Sequence, residues 1–147
     1  MLVPLPIIVK ELFQEYYELP HGELIEKHTE IIYLYKIHNK EHYHHGKHLC
    51  ISRKSIKHFI ESRKDQLLKN HSSQITREVI EYVFSEIITT VTDYYSYEHE
   101  KPNRYLFTRK SVHTRIPAIR IITEEINSEL HIISIHITKN KKPIHRE

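Results

Sequence analysis

The stretch AIRIITEEINSELHIISIHIT, residues 118–138, decides the fold. Apolar residues recur at alternate positions on both sides of a polar break at Asn127, Ser128 and Glu129. That pattern predicts two strands, 118–126 and 130–138, joined by a tight turn. Successive side chains of a strand point to opposite faces, so Ile133, Ile135 and Ile137 are expected on a core face and Ser134, His136 and Thr138 on the other. Just upstream, RYLFTRK at 104–110 predicts a third strand and completes an antiparallel meander.

Working back towards the start, the period changes from two to that of a helix. Ser52 is placed to cap a helix reaching about residue 70, with Ile56, Phe59, Ile60 and Leu67 as its apolar stripe. A second helix over 73–95 carries Ile75, Val79, Ile80, Val83 and Ile87, and its β-branched end at 89–92 is expected to fray. A further helix over 7–19 is ended by Pro20. Residues 48–52 predict a short strand, and 30–38 fit either a strand or a helix running from Gly22. The segment HNKEHYHHGKH, 38–48, reads as an exposed loop or turn. The expected fold is α+β: a helical N-terminal half, then an antiparallel β-meander with the helices packed on one face of the sheet.

The 147 residues suit a single domain, which at this size buries roughly 68–70% of its unfolded surface. With 39% apolar and 28% charged residues, the composition is neither disordered nor membrane-spanning. No run approaches the roughly 18 apolar residues of a membrane helix, and the apolar opening to Val9 lacks a secretory layout, so no membrane partner and a cytoplasmic setting are expected. Only two glycines, Gly22 and Gly46, are present, which excludes glycine-rich phosphate loops of the P-loop or dinucleotide-binding kind. Cys50 is the single cysteine and cannot form an internal disulfide.

Lys and Arg number 22 against 19 Asp and Glu, a formal +3, but the charge is unevenly spread. Residues 47–77 and 101–120 are basic blocks, while 78–100 is acidic with no Lys or Arg. Such a pattern makes a polarised surface. At the start of the first central helix, SRKSIKHFIESR places Lys54, Lys57 and His58 where free backbone N–H groups already favour an anion. This is either a phosphate-gripping site with His58 as acid or base, or a solvated basic helix face. Likewise Ser134, His136 and Thr138 are either solvent-facing groups or donors lining a groove, with Arg120 and Arg109 near enough in sequence order to steady phosphoryl charge. Tyr94, Tyr95, Tyr97, Tyr105 and Phe107 are candidates for stacking on unpaired bases, or for the core. His38, His42, His44, His45 and His48 invite a zinc reading, but no cysteine pair and no HExxH accompanies them, so neither a metal nor another cofactor is expected.

The order HLCISRKSIKHFIESR, a helix, RYLFTRK and LHIISIHIT resembles the barnase, EndoU, colicin and RelE-like superfamily of small nucleases, above all its phage and polymorphic-toxin branches. The resemblance covers roughly residues 47–138 as a nuclease-like core, with 1–46 as an N-terminal extension and 139–147 as a basic tail. It implies a metal-independent endoribonuclease of toxin or effector type. Carried over residue by residue, Lys57 and His58 match the basic and His positions at the helix start, Ser134 matches the hydroxyl position of the final strand, and Arg120 is a looser match. Together with His136, which the residues themselves put forward to share proton transfers with His58, these make the expected catalytic set, and Arg53, Lys54, Arg109 and Tyr105 are the expected RNA contacts. The implied partners are RNA, with tRNA one candidate among structured RNAs, and a cognate inhibitor protein. This chain has no tryptophan near the final hydroxyl, where some colicin-like members carry one. The alternative is a non-enzymatic immunity-like or antitoxin-like binding protein, or an RNA-binding module. Convergence of the five catalytic candidates on one cleft separates the readings.

Overall fold

The computed structural model describes residues 5–20, 22–23, 29–94 and 96–138. In chain order its elements are α1 (Leu5–Tyr17), β1 (Ile31–Lys36), β2 (His48–Ser52), α2 (Arg53–Leu68), α3 (Ser73–Ser85), α4 (Ile87–Thr92), β3 (Ser96–Lys101), β4 (Arg104–Lys110), β5 (Ala118–Ile126) and β6 (Glu129–Thr138). The strands form one sheet in the order β1-β2-β6-β5-β4-β3. Every neighbouring pair is antiparallel except β2 and β6, which run parallel through Leu49–Leu130, Cys50–His131 and Ile51–Ile132. The α+β class is as expected. The N-terminal half is not purely helical, because β1 and β2 lie within it and extend the meander at its β6 edge. No described helix is long and apolar enough to cross a membrane.

Local chemistry accounts for the helix boundaries. The Ser52 hydroxyl accepts from the Ser55 backbone N–H at 3.1 Å and caps α2, and Ser72 caps α3 by accepting from the Ile75 N–H at 3.2 Å. The helix expected over 73–95 is divided at Glu86 into α3 and α4. In α4 the Thr90 and Thr92 hydroxyls donate to the carbonyls of Glu86 and Ile88, at 2.7 and 2.9 Å, a local competition that suits a short, β-branched turn of helix. β3, SYEHEK, was not anticipated: its alternation is of polar residues, and it forms as the partner of the apolar β4.

Helices and strands share one core. Phe13, Ile60, Ile80, Val83 and Phe84 from the helices meet Leu34, Ile51, Phe107, Ile121 and Ile132 from the strands in one core. β6 joins this core through Leu130, Ile132 and Ile135, with Ile137 packed against it. Ile122 pairs with Ser134 but Thr123 pairs with Ile132, so Ile133 is an extra residue in a bulge. The core face of β6 therefore passes from even positions to odd ones at the bulge. Ile135 and Ile137 are where the alternation puts them, whereas Ile133 is half-exposed and not part of the core.

The histidine-rich loop is also unlike its expectation. His42 and His44 are buried, because the loop folds back through bonds from the Ile37 N–H to the Lys47 carbonyl and from the Gly46 N–H to the Ile37 carbonyl, at 2.9 and 2.7 Å. Gly46 permits this with φ of +89°, a left-handed conformation that costs glycine little. The basic tail after residue 138 and Tyr95 lie outside the described residues. The packing predicts that Ile121→Ala, at a fully buried position, destabilises the fold by about 2–5 kcal/mol. Ile126→Ala, at an exposed position, changes stability by less than about 0.5 kcal/mol in urea unfolding.

Candidate functional site

β2 pairs with β6 only as far as Ile51 and Ile132, and the chain then turns at Ser52 into α2. β6 continues past that point through its bulge, and α2 packs against it. The junction leaves a small cavity of about 60 Å³. From α2 it is lined by Ser55, His58, Phe59, Ser62 and Arg63, positions spaced by three and four residues that share one helix face. From β6 it is lined by Ile132 through His136, so it opens at the strand's margin. Among the described residues no carboxylate lines it. Its size admits a phosphoryl group or a few waters.

The charge distribution in this cavity is lopsided. Arg63 has a buried Nε with no hydrogen-bond partner among the described residues, and burial holds its guanidinium below the usual arginine range. The Ser134 hydroxyl and His136 Nε2 lie 2.7 Å apart in a hydrogen bond. Burial, then the charges of Arg63 and Arg120, lower the His136 pKa, so its imidazole is neutral near neutral pH. Arg120 is the cross-strand neighbour of His136, and its Nε donates to the Thr108 hydroxyl at 3.2 Å, which fixes the side chain along the sheet. A half-buried cation without a counter-charge carries part of the cost of a buried charge, and an anion in this cavity would offset it.

Of the residues expected in a site, His58, Ser134 and His136 thus line one cavity, and Arg120 stands beside it. Lys57 does not: its ammonium is held at 2.7 Å by Glu61, one turn along α2 and away from the pocket-lining stripe. Arg53 is also committed elsewhere, bonded to Glu30 at 2.7 Å, Glu15 at 2.9 Å and the Tyr16 hydroxyl at 2.8 Å, which ties α1 to the start of α2. Lys54 is exposed and lies outside the pocket lining. Arg109 sits on the helix-bearing face between Glu86 at 3.7 Å and Asp93 at 3.5 Å, apart from Arg120. Tyr105 is 6% exposed, and its hydroxyl donates towards Glu125 and the Pro102 carbonyl, both at 3.3 Å. Its ring is core and offers no platform to a base. Thr138 pairs with Ala118 on the face that carries Arg120 and lies outside the pocket lining.

Arg63 was missed from sequence, as were Ser55 and Ser62. The signal was present in SRKSIKHFIESR: Ser55, His58, Ser62 and Phe59, Arg63 fall on one stripe, next to the apolar stripe of Ile56 and Ile60. A census of charge overlooks this, since it weighs Arg63 like any surface cation.

The histidine loop is structural. His42 accepts the His44 backbone N–H at Nδ1, at 2.9 Å, and donates from Nε2 to the Val91 carbonyl at 2.8 Å. His44 accepts from the Lys47 ammonium at Nδ1, at 3.0 Å, and its Nε2 bonds the Tyr97 hydroxyl at 3.1 Å. Both rings are fully engaged, and His38 is bonded to Tyr35 at 2.6 Å. Comparison with protein-family models, with curated proteins and with solved structures gives no match.

Burial, with the nearby charges of Lys47 and His42, lowers the His44 pKa from 6.5 to about 4. Between those values the unfolded chain takes up a proton that the folded chain refuses, so stability is greatest above pH 6.5 and falls as the pH drops towards 4. His136, lowered for similar reasons, adds in the same sense. Urea unfolding across this window is expected to show that decline, with a shallower slope in His44→Gln. Equal slopes would remove His44 as its source.

Proposed function

We propose that the protein is an endoribonuclease that cleaves RNA by attack of a ribose 2′-hydroxyl on the adjacent phosphate. The observation that carries this reading is a cavity without a carboxylate among its described lining residues, in which His58, His136 and an Arg63 Nε with no partner among the described residues surround space for one phosphoryl group. The sequence resemblance to small toxin-type nucleases points to the same chemistry.

In this reading the phosphate enters the cavity and the ribose and bases stay outside. Neutral His136, oriented by Ser134, takes the proton of the 2′-hydroxyl as its oxygen bonds to phosphorus. Arg63 and Arg120 stabilise the extra negative charge of the phosphorane. The bond to the 5′ oxygen breaks as His58, acting as the general acid, gives it a proton, leaving a 2′,3′-cyclic phosphate and a free 5′-hydroxyl. Protons balance, since one histidine gains what the other gives. The charge stabilisation comes from arginine, so a divalent cation is not required. RNA is the substrate partner, and a cognate inhibitor protein would act by covering this cavity.

Incubation of the purified chain with total RNA in EDTA tests the proposal. The wild type is expected to cut and to leave cyclic-phosphate ends. His58→Ala, Arg63→Ala and His136→Ala are each expected to slow cleavage by about 100-fold or more. Lys57→Ala, at a position outside the cavity, leaves the rate unchanged. Intact RNA with wild type, or variants that cut as fast as wild type, would overturn it. Salt-sensitive binding without cleavage would make the chain an RNA-binding module instead.

A further inference from the structure

A second cluster of reactive groups lies on the sheet face away from the helices, at the opposite end of β6 from His136. Cys50 of β2 stands directly beside His131 of β6 in the parallel register. Glu129, two residues before His131 on the same strand, reaches the imidazole Nε2 at 3.4 Å. The Cys50 sulfur, an imidazole nitrogen and a carboxylate oxygen all lie within 4.8 Å of one another, and this is the one group of three potential metal ligands so gathered among the described residues. Neighbouring strands bring these three together, not a mobile surface loop. Tyr33 of β1 is the neighbour of Cys50 on its other side, and the nearby Glu129 carboxylate raises the pKa of its hydroxyl.

We propose that Cys50, Glu129 and His131 form a zinc-binding site with a fourth position open to solvent. One thiolate, one imidazole and one carboxylate make a borderline-soft donor set of the kind zinc takes. Magnesium and calcium, which prefer oxygen ligands throughout, fit it poorly. Three protein ligands leave zinc a vacant tetrahedral position. Zinc bonds of about 2.0–2.3 Å place ligand atoms about 3.5 Å apart, so closing the cluster takes side-chain movements of about 1 Å. Tyr33 would orient the Glu129 carboxylate from outside the ligand shell, as such partners commonly do.

Burial and the Glu129 charge push the Cys50 thiol up to about 12, so without a metal it is protonated and a poor nucleophile. Binding replaces the S–H bond by a Zn–S bond and releases the proton to solvent, with no change of oxidation state. The site bridges β2 and β6 at the one parallel pairing of the sheet. It shares no residue with the lining of the phosphate cavity, so it stands or falls separately from the proposed nuclease activity.

The test is titration of the full chain with Co2+, then with Zn2+, under reducing conditions. One equivalent of Co2+ is expected to give a thiolate-to-metal charge-transfer band in the near ultraviolet, and Zn2+ should abolish it. Cys50→Ser removes the band. His131→Ala and Glu129→Gln each weaken binding by about 10-fold or more, while His45→Ala, at an exposed histidine, changes nothing. Glu129→Gln keeps the shape of the side chain, so it remains informative should either of the other variants fail to fold by circular dichroism. Binding without the band, or a band that survives in Cys50→Ser, would assign the metal to surface histidines and overturn the proposal. Absence of stoichiometric binding would overturn it equally.

Discussion

The short parallel pairing of β2 with β6 is the constraint on which the rest of the molecule depends. It joins the first half of the chain to the last strand through Leu49, Cys50 and Ile51 against Leu130, His131 and Ile132. Since β2 ends at Ser52, which is also the cap of α2, the helix must start where the strand pairing stops. α2 then packs against the part of β6 that has no β2 beside it. A longer β2 would pair with that margin of β6 and close the cavity. The bulge at Ile133 completes the arrangement by shifting the phase of β6, so that Ile132 and Ile135 both reach the core while Ser134 and His136 line the opening.

Electrostatics separates cations that build the fold from those that are available. The alternating charge blocks are largely settled internally: Arg53 with Glu15 and Glu30, Lys47 with Glu125, Arg104 with Glu124, Arg109 with Glu86 and Asp93. Several of these pairs are half-exposed and each adds little stability, but they fix where the charge points. Arg63 and Arg120 have no ion pair among the described residues, and both bear on His136. Net charge is thus a poor guide to this protein. What matters is that a few cations lie at one cavity without a carboxylate among its lining residues.

Much of the fold is legible in the sequence, because it rests on local patterns. The β5–β6 hairpin follows from alternation around Asn127 and Ser128, both of which adopt positive φ in the turn. The caps at Ser52 and Ser72 mark the starts of α2 and α3. What escapes is non-local. No short pattern announces that β2 pairs parallel with β6 across some eighty intervening positions, nor that polar β3 forms against apolar β4. His42 and His44 read as loop residues, yet their rings pack against Tyr94, Tyr97, Tyr105 and Phe107, which come from much later in the chain. The site divides likewise. His58, Ser134 and His136 stand out by residue type and strand alternation. Lys57 stands out by its place at the start of α2 and by the family resemblance but is held by Glu61, and Arg63 does not stand out because burial is a property of the fold.

In the proposed reading the junction of α2 and β6 is an anion site whose key cation is Arg63. The most direct measurement is nuclear magnetic resonance of the arginine Nε–H and histidine ring signals while inorganic phosphate is added. Saturable movement of Arg63, His58 and His136 is expected, with Arg53 and Arg109 unaffected. A stationary Arg63, or a small drift of all arginines together without saturation, would contradict it.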